Sequence, residues 1–270
     1  MKIFLALILS LGVSQGADRF TNAFAVRIVQ ASGNQRLTPL QLAATARLSR
    51  EIFPVGWSKF RAVYPFVGGA ATAHSINLVS PTTNQITWFG TVTHNATGIT
   101  GDGTTGYGST GIGWDTMNAT YVLAVNATAP GTGLYDTFIG LTDNATASLG
   151  MACNFDISGV EGYAAASVSN LTVTRKAFPA FHAIVRTTTA EWRVYRNSTL
   201  EGIVSQTATN PFGTTAIAVL ASALTSGGAL AHTDGAINLA LISNVLTASE
   251  VANFSTAVQR YQIALRRQAP

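Results

Sequence analysis

Twelve acidic residues, four histidines and Cys153 are the groups in this 270-residue chain that could move a proton, attack a substrate or hold a metal. Glycoside hydrolysis needs two carboxyl groups facing one cleft, about 5–5.5 Å apart when configuration is retained. On a β-rich fold such a pair sits at alternate positions of one strand, where side chains share a face. No two acidic residues stand at i and i+2 here, and the nearest pair in sequence, Asp156 and Glu161, is separated by the turn signal Ser158-Gly159. The chain is therefore not expected to be an enzyme. His74 and His94 have no carboxylate or third ligand at a fixed offset, and the expected role of each is to tether a loop through backbone hydrogen bonds. His182 and His232 carry no partner signal. Cys153 cannot form an internal disulfide, and no Cys/His spacing suggests a transition metal.

Binding is easier to place than catalysis. Asp102, in Gly101-Asp102-Gly103-Thr104, and Asp115, after Trp114, could offer loop oxygens to calcium; Asp beside Gly also simply builds turns. Trp88, Tyr107, Trp114 and Trp192 are candidates for a sugar-stacking platform, with His94 a further candidate ligand-binding residue. Most aromatics in a sandwich are simply core. The Gly-rich run 101–113 lacks the Lys-Ser/Thr ending of a phosphate-cradling loop and opens no helix. Seven Asn-X-Ser/Thr sites (Asn95, Asn118, Asn126, Asn144, Asn170, Asn197 and Asn253) follow from a Thr- and Asn-rich composition.

The elements that must position these groups read as β. Hydrophobic residues make up 47% of the chain, enough for a sizeable core, while charged residues are 10%, against about 25% in ordinary soluble domains. The surface is thus built from Thr, Ser, Asn and Gly, or is covered by other subunits. A net charge of +4 comes from scattered arginines with one group at Arg260, Arg266 and Arg267. No basic block interleaves with aromatics, so nucleic acid is not an expected partner. Strands are expected from Val63 through Ile242, with good candidates at 86–92, 120–126, 137–141, 168–175, 181–187, 191–196, 216–221 and 236–242. Their spacing suits a β-sandwich or jelly roll.

Helices are expected at both ends. Phe20, Phe24 and Ile28 form one stripe, and Thr38 with Gln41 caps a second helix whose first position is Pro39. Thr247 and Glu250 form a capping box before Val251, Phe254, Val258, Tyr261 and Leu265. Residues 1–17 read as a secretory signal peptide or a retained hydrophobic segment, and no stretch is long and apolar enough to span a membrane. The resulting layout is 18–56 helical, 57–245 β-sandwich and 246–270 a closing helix packed on it.

The run Trp57-Ser-Lys-Phe-Arg-Ala-Val-Tyr-Pro-Phe-Val-Gly-Gly, followed by His74-Ser-Ile-Asn77-Leu and by Thr93-His94-Asn95-Ala96-Thr97-Gly98, resembles a family of bacteriophage structural proteins. These carry a concanavalin-like, or laminin-G-like, jelly-roll domain. The similarity covers roughly residues 37–115. It implies a non-enzymatic virion protein, tail-associated or surface-exposed, that assembles with other virion subunits as a homo-oligomer and contacts a host surface. The alternative is a lectin-like carbohydrate-binding module, secreted or virion-borne, that holds a host-surface glycan. Under the first reading broad low-charge faces are buried against neighbours. Under the second, loops near Tyr107 and Trp114 expose aromatics around a shallow cleft.

Overall fold

A computed structural model of the protein describes residues 15–32, 36–113, 120–133, 136–142, 148–152, 160–165, 170–174, 178–188, 190–205 and 214–268. Three layers stack on one another. Helices α1 (Gln15–Ser32), α2 (Pro39–Ile52) and, at the far end of the chain, α4 (Ala248–Ala264) form the first. The second is an eight-stranded sheet containing β1 (Phe60–Tyr64), β3 (Thr93–Asn95), β4 (Gly98–Thr100), β6 (Tyr121–Ala129), β11 (Ala180–Thr188), β12 (Glu191–Arg196), β13 (Thr199–Ser205) and β17 (Ala236–Asn244). The third is a nine-stranded sheet containing β2 (Thr87–Phe89), β5 (Tyr107–Gly113), β7 (Thr137–Thr142), β8 (Ser148–Ala152), β9 (Val160–Ala165), β10 (Asn170–Thr174), β14 (Ala216–Val219), β15 (Ser222–Leu224) and β16 (Ala229–Leu230). A helical turn, α3 (Ala71–His74), follows the loop after β1. The expected mainly β sandwich with flanking helices is what the chain forms.

The middle sheet is covered on both sides, and the residue alternation shows how. Along β6, Tyr121, Leu123, Val125 and Ala127 face the nine-stranded sheet, while Val122 and Ala124 face the helices. Along β11, Ile184 points to the sandwich interior, and Phe181, Ala183 and Val185 point to the helical layer. Strands buried on two faces lose the polar half of their alternation and read as near-continuous apolar runs. Phe24 and Ile28 of α1, Leu48 and Ile52 of α2, and Phe254 and Val258 of α4 complete the second core. The closing helix therefore packs on both the N-terminal hairpin and the sheet. Among the described residues no helix is long and apolar enough to cross a membrane.

Both caps expected from sequence form. Gln41 Oε1 accepts from the Thr38 amide at 3.0 Å, and Thr38 Oγ1 accepts from the Gln41 amide at 3.2 Å. At α4, Thr247 Oγ1 accepts from the Glu250 amide at 3.3 Å, and Glu250 Oε2 accepts from the Thr247 amide at 2.8 Å. Lys59 adds an ion pair to Glu250 at 2.5 Å, tying the α4 start to the entry of β1. Thr247→Ala is expected to cost about 1 kcal/mol, read as a lower denaturation midpoint with an unchanged slope.

Candidate functional site

β1 ends at Tyr64 and the chain turns through Gly68 and Gly69, both at positive φ, into α3. His74 closes that turn: its Nε2 accepts from the Gly69 amide at 3.2 Å, and its Nδ1 lies 3.1 Å from Nδ1 of His94. Because Nε2 is an acceptor, the His74 proton sits on Nδ1 and is donated to His94 Nδ1, which places the His94 proton on Nε2. Burial, then the neighbouring His94 and Arg267, push His74 down to about 3, and burial lowers His94 as well. Asn77 Oδ1 accepts from the Val63 and Val79 amides at 3.1 and 3.0 Å while its Nδ2 donates to Arg61 O at 3.1 Å. Arg267 reaches back from the end of α4 to donate to Phe66 O at 2.9 Å and to Ala96 O. His74 thus tethers backbone as expected, while His94 is held by another ring. Among the described residues no group of His, Cys, Asp or Glu is placed to hold a metal.

Trp88 belongs to the same scaffold. Its Nε1 donates to Ala71 O at 3.0 Å, and its ring lies edge-on to His94 at 4.7 Å and packs against the inter-sheet core. Gly108 stands opposite it in the ladder, and a Cβ there would come within 2.6 Å of the indole. Of the aromatic and histidine candidates, Trp88 and His94 hold the loops together and do not form an open face. Asp102 Oδ1 accepts from the amides of Thr104, Thr105 and Gly106 at 3.0, 2.7 and 2.7 Å, and Oδ2 accepts from Thr105 Oγ1 at 2.5 Å. These donors hold its carboxyl well below the usual range, which is the turn-building use of Asp. Trp114 and Asp115 lie outside the described residues.

Moving one residue along each of these strands turns the side chain to the other face. Phe89 and Tyr107 are direct cross-strand partners on the outer face of the nine-stranded sheet. Their rings stack with centroids 4.9 Å apart and an interplanar angle of 14°, and Phe89 is 43% exposed. His232 backs Tyr107 at 5.6 Å and is positioned by Ala229 O, 3.2 Å from its Nε2. Beside this shelf lies an open depression of about 290 Å³ lined by Ser109, Thr214, Thr215 and Thr225 and by the Gly227-Gly228 turn. A flat apolar surface next to several hydroxyl groups, each able to donate and accept, suits a ligand with one apolar face and many hydroxyls. Phe89 and His232 were not visible as site residues in the sequence. The only signal for Phe89 was its place beside Trp88 in a strand, which puts one of the two outside.

A second arrangement also escaped sequence reading. Asp136, 3% exposed, and Asp234 are hydrogen-bonded carboxyls from loops nearly a hundred residues apart. Asp136 Oδ2 accepts from the Gly133 amide at 2.8 Å, and Asp234 accepts from Thr132 N at 2.6 Å and Thr132 Oγ1 at 2.5 Å. Burial and the adjacent Asp234 push Asp136 up to about 6. Gly131 lets the backbone approach, since a Cβ there would meet Asp136 Oδ2 at 2.0 Å. Through these bonds Asp136 and Asp234 staple the backbone at Thr132 and Gly133.

No family model matches the chain, and no curated protein matches it. Several solved structures are similar to it. A mutant Trypanosoma rangeli sialidase displaying trans-sialidase activity aligns over 92% of this chain and 39% of its own, at 10% identity and a TM-score of 0.52. Domain 4 of the extracellular arabinanase AbnA from Geobacillus stearothermophilus, in complex with arabinotriose, aligns over 73% of this chain and 98% of its own, at 12% identity and a TM-score of 0.49. The CBM40 of the Ruminococcus gnavus IT-sialidase, bound to α2,3-sialyllactose, aligns over 53% of this chain and 91% of its own, at 11% identity and a TM-score of 0.41. At such identities the likeness is one of fold: the chain is a β-sandwich with helices flanking it.

Proposed function

We propose that the chain is a lectin-like module that binds carbohydrate on the outer face of its nine-stranded sheet. The observation that carries this reading is the stack of exposed Phe89 on half-buried Tyr107 beside a hydroxyl-lined depression. A pyranose ring lays its C–H face on the aromatic shelf, and its hydroxyls exchange water for Ser109, Thr214, Thr215 and Thr225. The sequence places the exposed aromatics on loops near Tyr107 and Trp114; Trp114 lies outside the described residues, and the ring that joins Tyr107 here is Phe89, on the neighbouring strand. Module action outside the cell suits such a ligand.

The reading is tested by presenting the full chain to a printed panel of oligosaccharides, alongside Phe89→Ala and Tyr107→Ala. Loss of a stacked ring is worth about 1.5 kcal/mol, so each variant should bind roughly tenfold more weakly. Phe89 is 43% exposed and outside both core clusters, so its variant should melt close to the parent. Binding that survives both substitutions unchanged would place the glycan site elsewhere.

A second reading, a virion protein that works by subunit assembly, draws on the resemblance of residues 37–115 and on one surface feature. Leu200 and Ile203 stand exposed on β13, which is paired only with β12 among the described residues. An open edge strand bearing apolar side chains is a place for another chain to add. Light scattering of the purified chain decides this: a strict monomer at all accessible concentrations removes homo-oligomeric assembly.

A further inference from the structure

The chain segments that build the shelf and its depression share a property that their separate positions in the sequence conceal. Residues 62–101 carry β2, residues 103–114 carry β5, and residues 202–233 carry β14, β15 and the Gly227-Gly228 turn. None of these three stretches contains a single Asp, Glu, Lys or Arg. Charge is scarce throughout the protein, and none of these stretches carries a cation; the single charge between the first two, Asp102, has its carboxylate taken up by the amides of Thr104, Thr105 and Gly106. His232 backs the shelf, and its two ring nitrogens face Gly106 O and Ala229 O. Hydroxyls and peptide groups are what remain to meet a ligand.

That composition selects among sugars. A carboxylate or sulfate brought against a wall of neutral hydroxyls and apolar groups loses hydration and needs a cation, best a forked guanidinium, to compensate. Neutral hydroxyls need only one donor or acceptor each, and threonine and serine hydroxyls rotate to supply either. The volume of about 290 Å³ stands at the small end of ligand pockets, roughly 300 Å³, so it accommodates one terminal ring and leaves the rest of a chain in solvent. We infer that this site takes the neutral terminal pyranose of a glycan and rejects ends bearing sialic acid, uronic acid or sulfate. This rests on the carbohydrate-binding reading of the same site and adds its ligand class.

The experiment presents the full chain to pairs of immobilised oligosaccharides that share a neutral core, one member of each pair carrying a terminal sialic acid or sulfate. The parent chain, Phe89→Ala and Thr225→Arg are compared, each first checked for an unchanged melting temperature. The parent should bind neutral members about tenfold more strongly than their anionic counterparts. Its binding should change less than about twofold between roughly 50 and 500 mM salt, because no ion pair is there to be screened. Thr225→Arg, which installs the missing cation at the rim, should raise binding of the anionic members and make it salt-sensitive. Phe89-dependent binding that is equal or stronger on the anionic members overturns the neutral-ligand inference while leaving carbohydrate binding intact. Absence of any Phe89-dependent signal across the panel overturns both.

Discussion

Replacing Trp192 with alanine is expected to destabilise the protein by about 4 kcal/mol, near the upper range for a deleted core aromatic. The indole is 0% exposed between the sheets and sits opposite Arg186, which in turn sits opposite Tyr121, across three neighbouring strands. Trp192 meets Tyr121 edge-on at 5.5 Å, and the Arg186 guanidinium lies 5.0 Å from the Trp192 ring and 6.0 Å from the Tyr121 ring. Truncation therefore opens a cavity and also strips an aromatic face from a buried cation, a contact worth up to about 2 kcal/mol when desolvated. In a chain of this size the melting temperature should fall by roughly 10 °C. Trp192→Phe keeps a ring for Arg186 and should cost less than half as much. If the two variants melted together, the cation–ring contact would have no measurable weight and only volume would matter.

The second large effect is acid destabilisation carried by histidines. His74 and His182 are buried and neutral, and both are pushed down to about 3: His74 by burial and then His94 and Arg267, His182 by burial and then Arg196. An unfolded histidine takes its proton near 6.5. Between 6.5 and 3 the unfolded chain therefore binds more protons than the folded one, and stability falls as pH falls. From pH 6.5 to 4 each such histidine costs about 3 kcal/mol. Asp136 works in the opposite direction. Its folded value, raised to about 6, means that the folded state binds the extra proton between roughly 4 and 6. That contribution is present at low pH and lost as pH rises through 6. The two histidines outweigh one carboxyl, so the net slope is toward acid lability. Urea midpoints at pH 7 and pH 4.5 should drop steeply for the parent, less for His182→Gln, and more for Asp136→Asn. An unaltered acid slope in His182→Gln would assign the lability to other groups.

How much of this was legible follows from how local each signal is. The capping pairs Thr38–Gln41 and Thr247–Glu250 are three residues apart and obey a rule of one helical turn, so they could be read directly. The strand 191–196 was bounded by its own alternation and by the turn at Asn197-Ser198, and β12 has those bounds. β4 and β5 are hard to bound within a glycine-rich run because one buried position in each, Gly98 and Gly108, must be small. A Cβ at Gly98 would strike Ile237 O at 2.3 Å, and one at Gly108 would strike Trp88. Packing demanded the residues that sequence reading takes for loop. The shelf was half visible: Tyr107 was singled out, but whether Trp88 or Phe89 faced outward depends on which face the sheet buries. Asp136 and Asp234 meet only because the loops 130–136 and 231–235 converge, and no spacing rule reaches across that distance.

β17 is the last strand in the sequence, yet it lies inside the middle sheet, pairing with β6, β4 and β1. Its ladder joins Tyr64 to Ala240 and Phe60 to Ser243. Until this segment leaves the ribosome, β1 has no ladder partner, β4 and β6 each have one side unpaired, and the helical layer has no completed floor. Synthesis thus holds more than two hundred residues in an incomplete state with open strand edges. Contacts so remote in sequence make slow folding nuclei, on the order of milliseconds to seconds, and exposed edges in the interim favour association between nascent chains. The protein's yield in the cell is therefore set by how the growing chain is sheltered before Asn244 emerges, as much as by the stability of the finished sandwich.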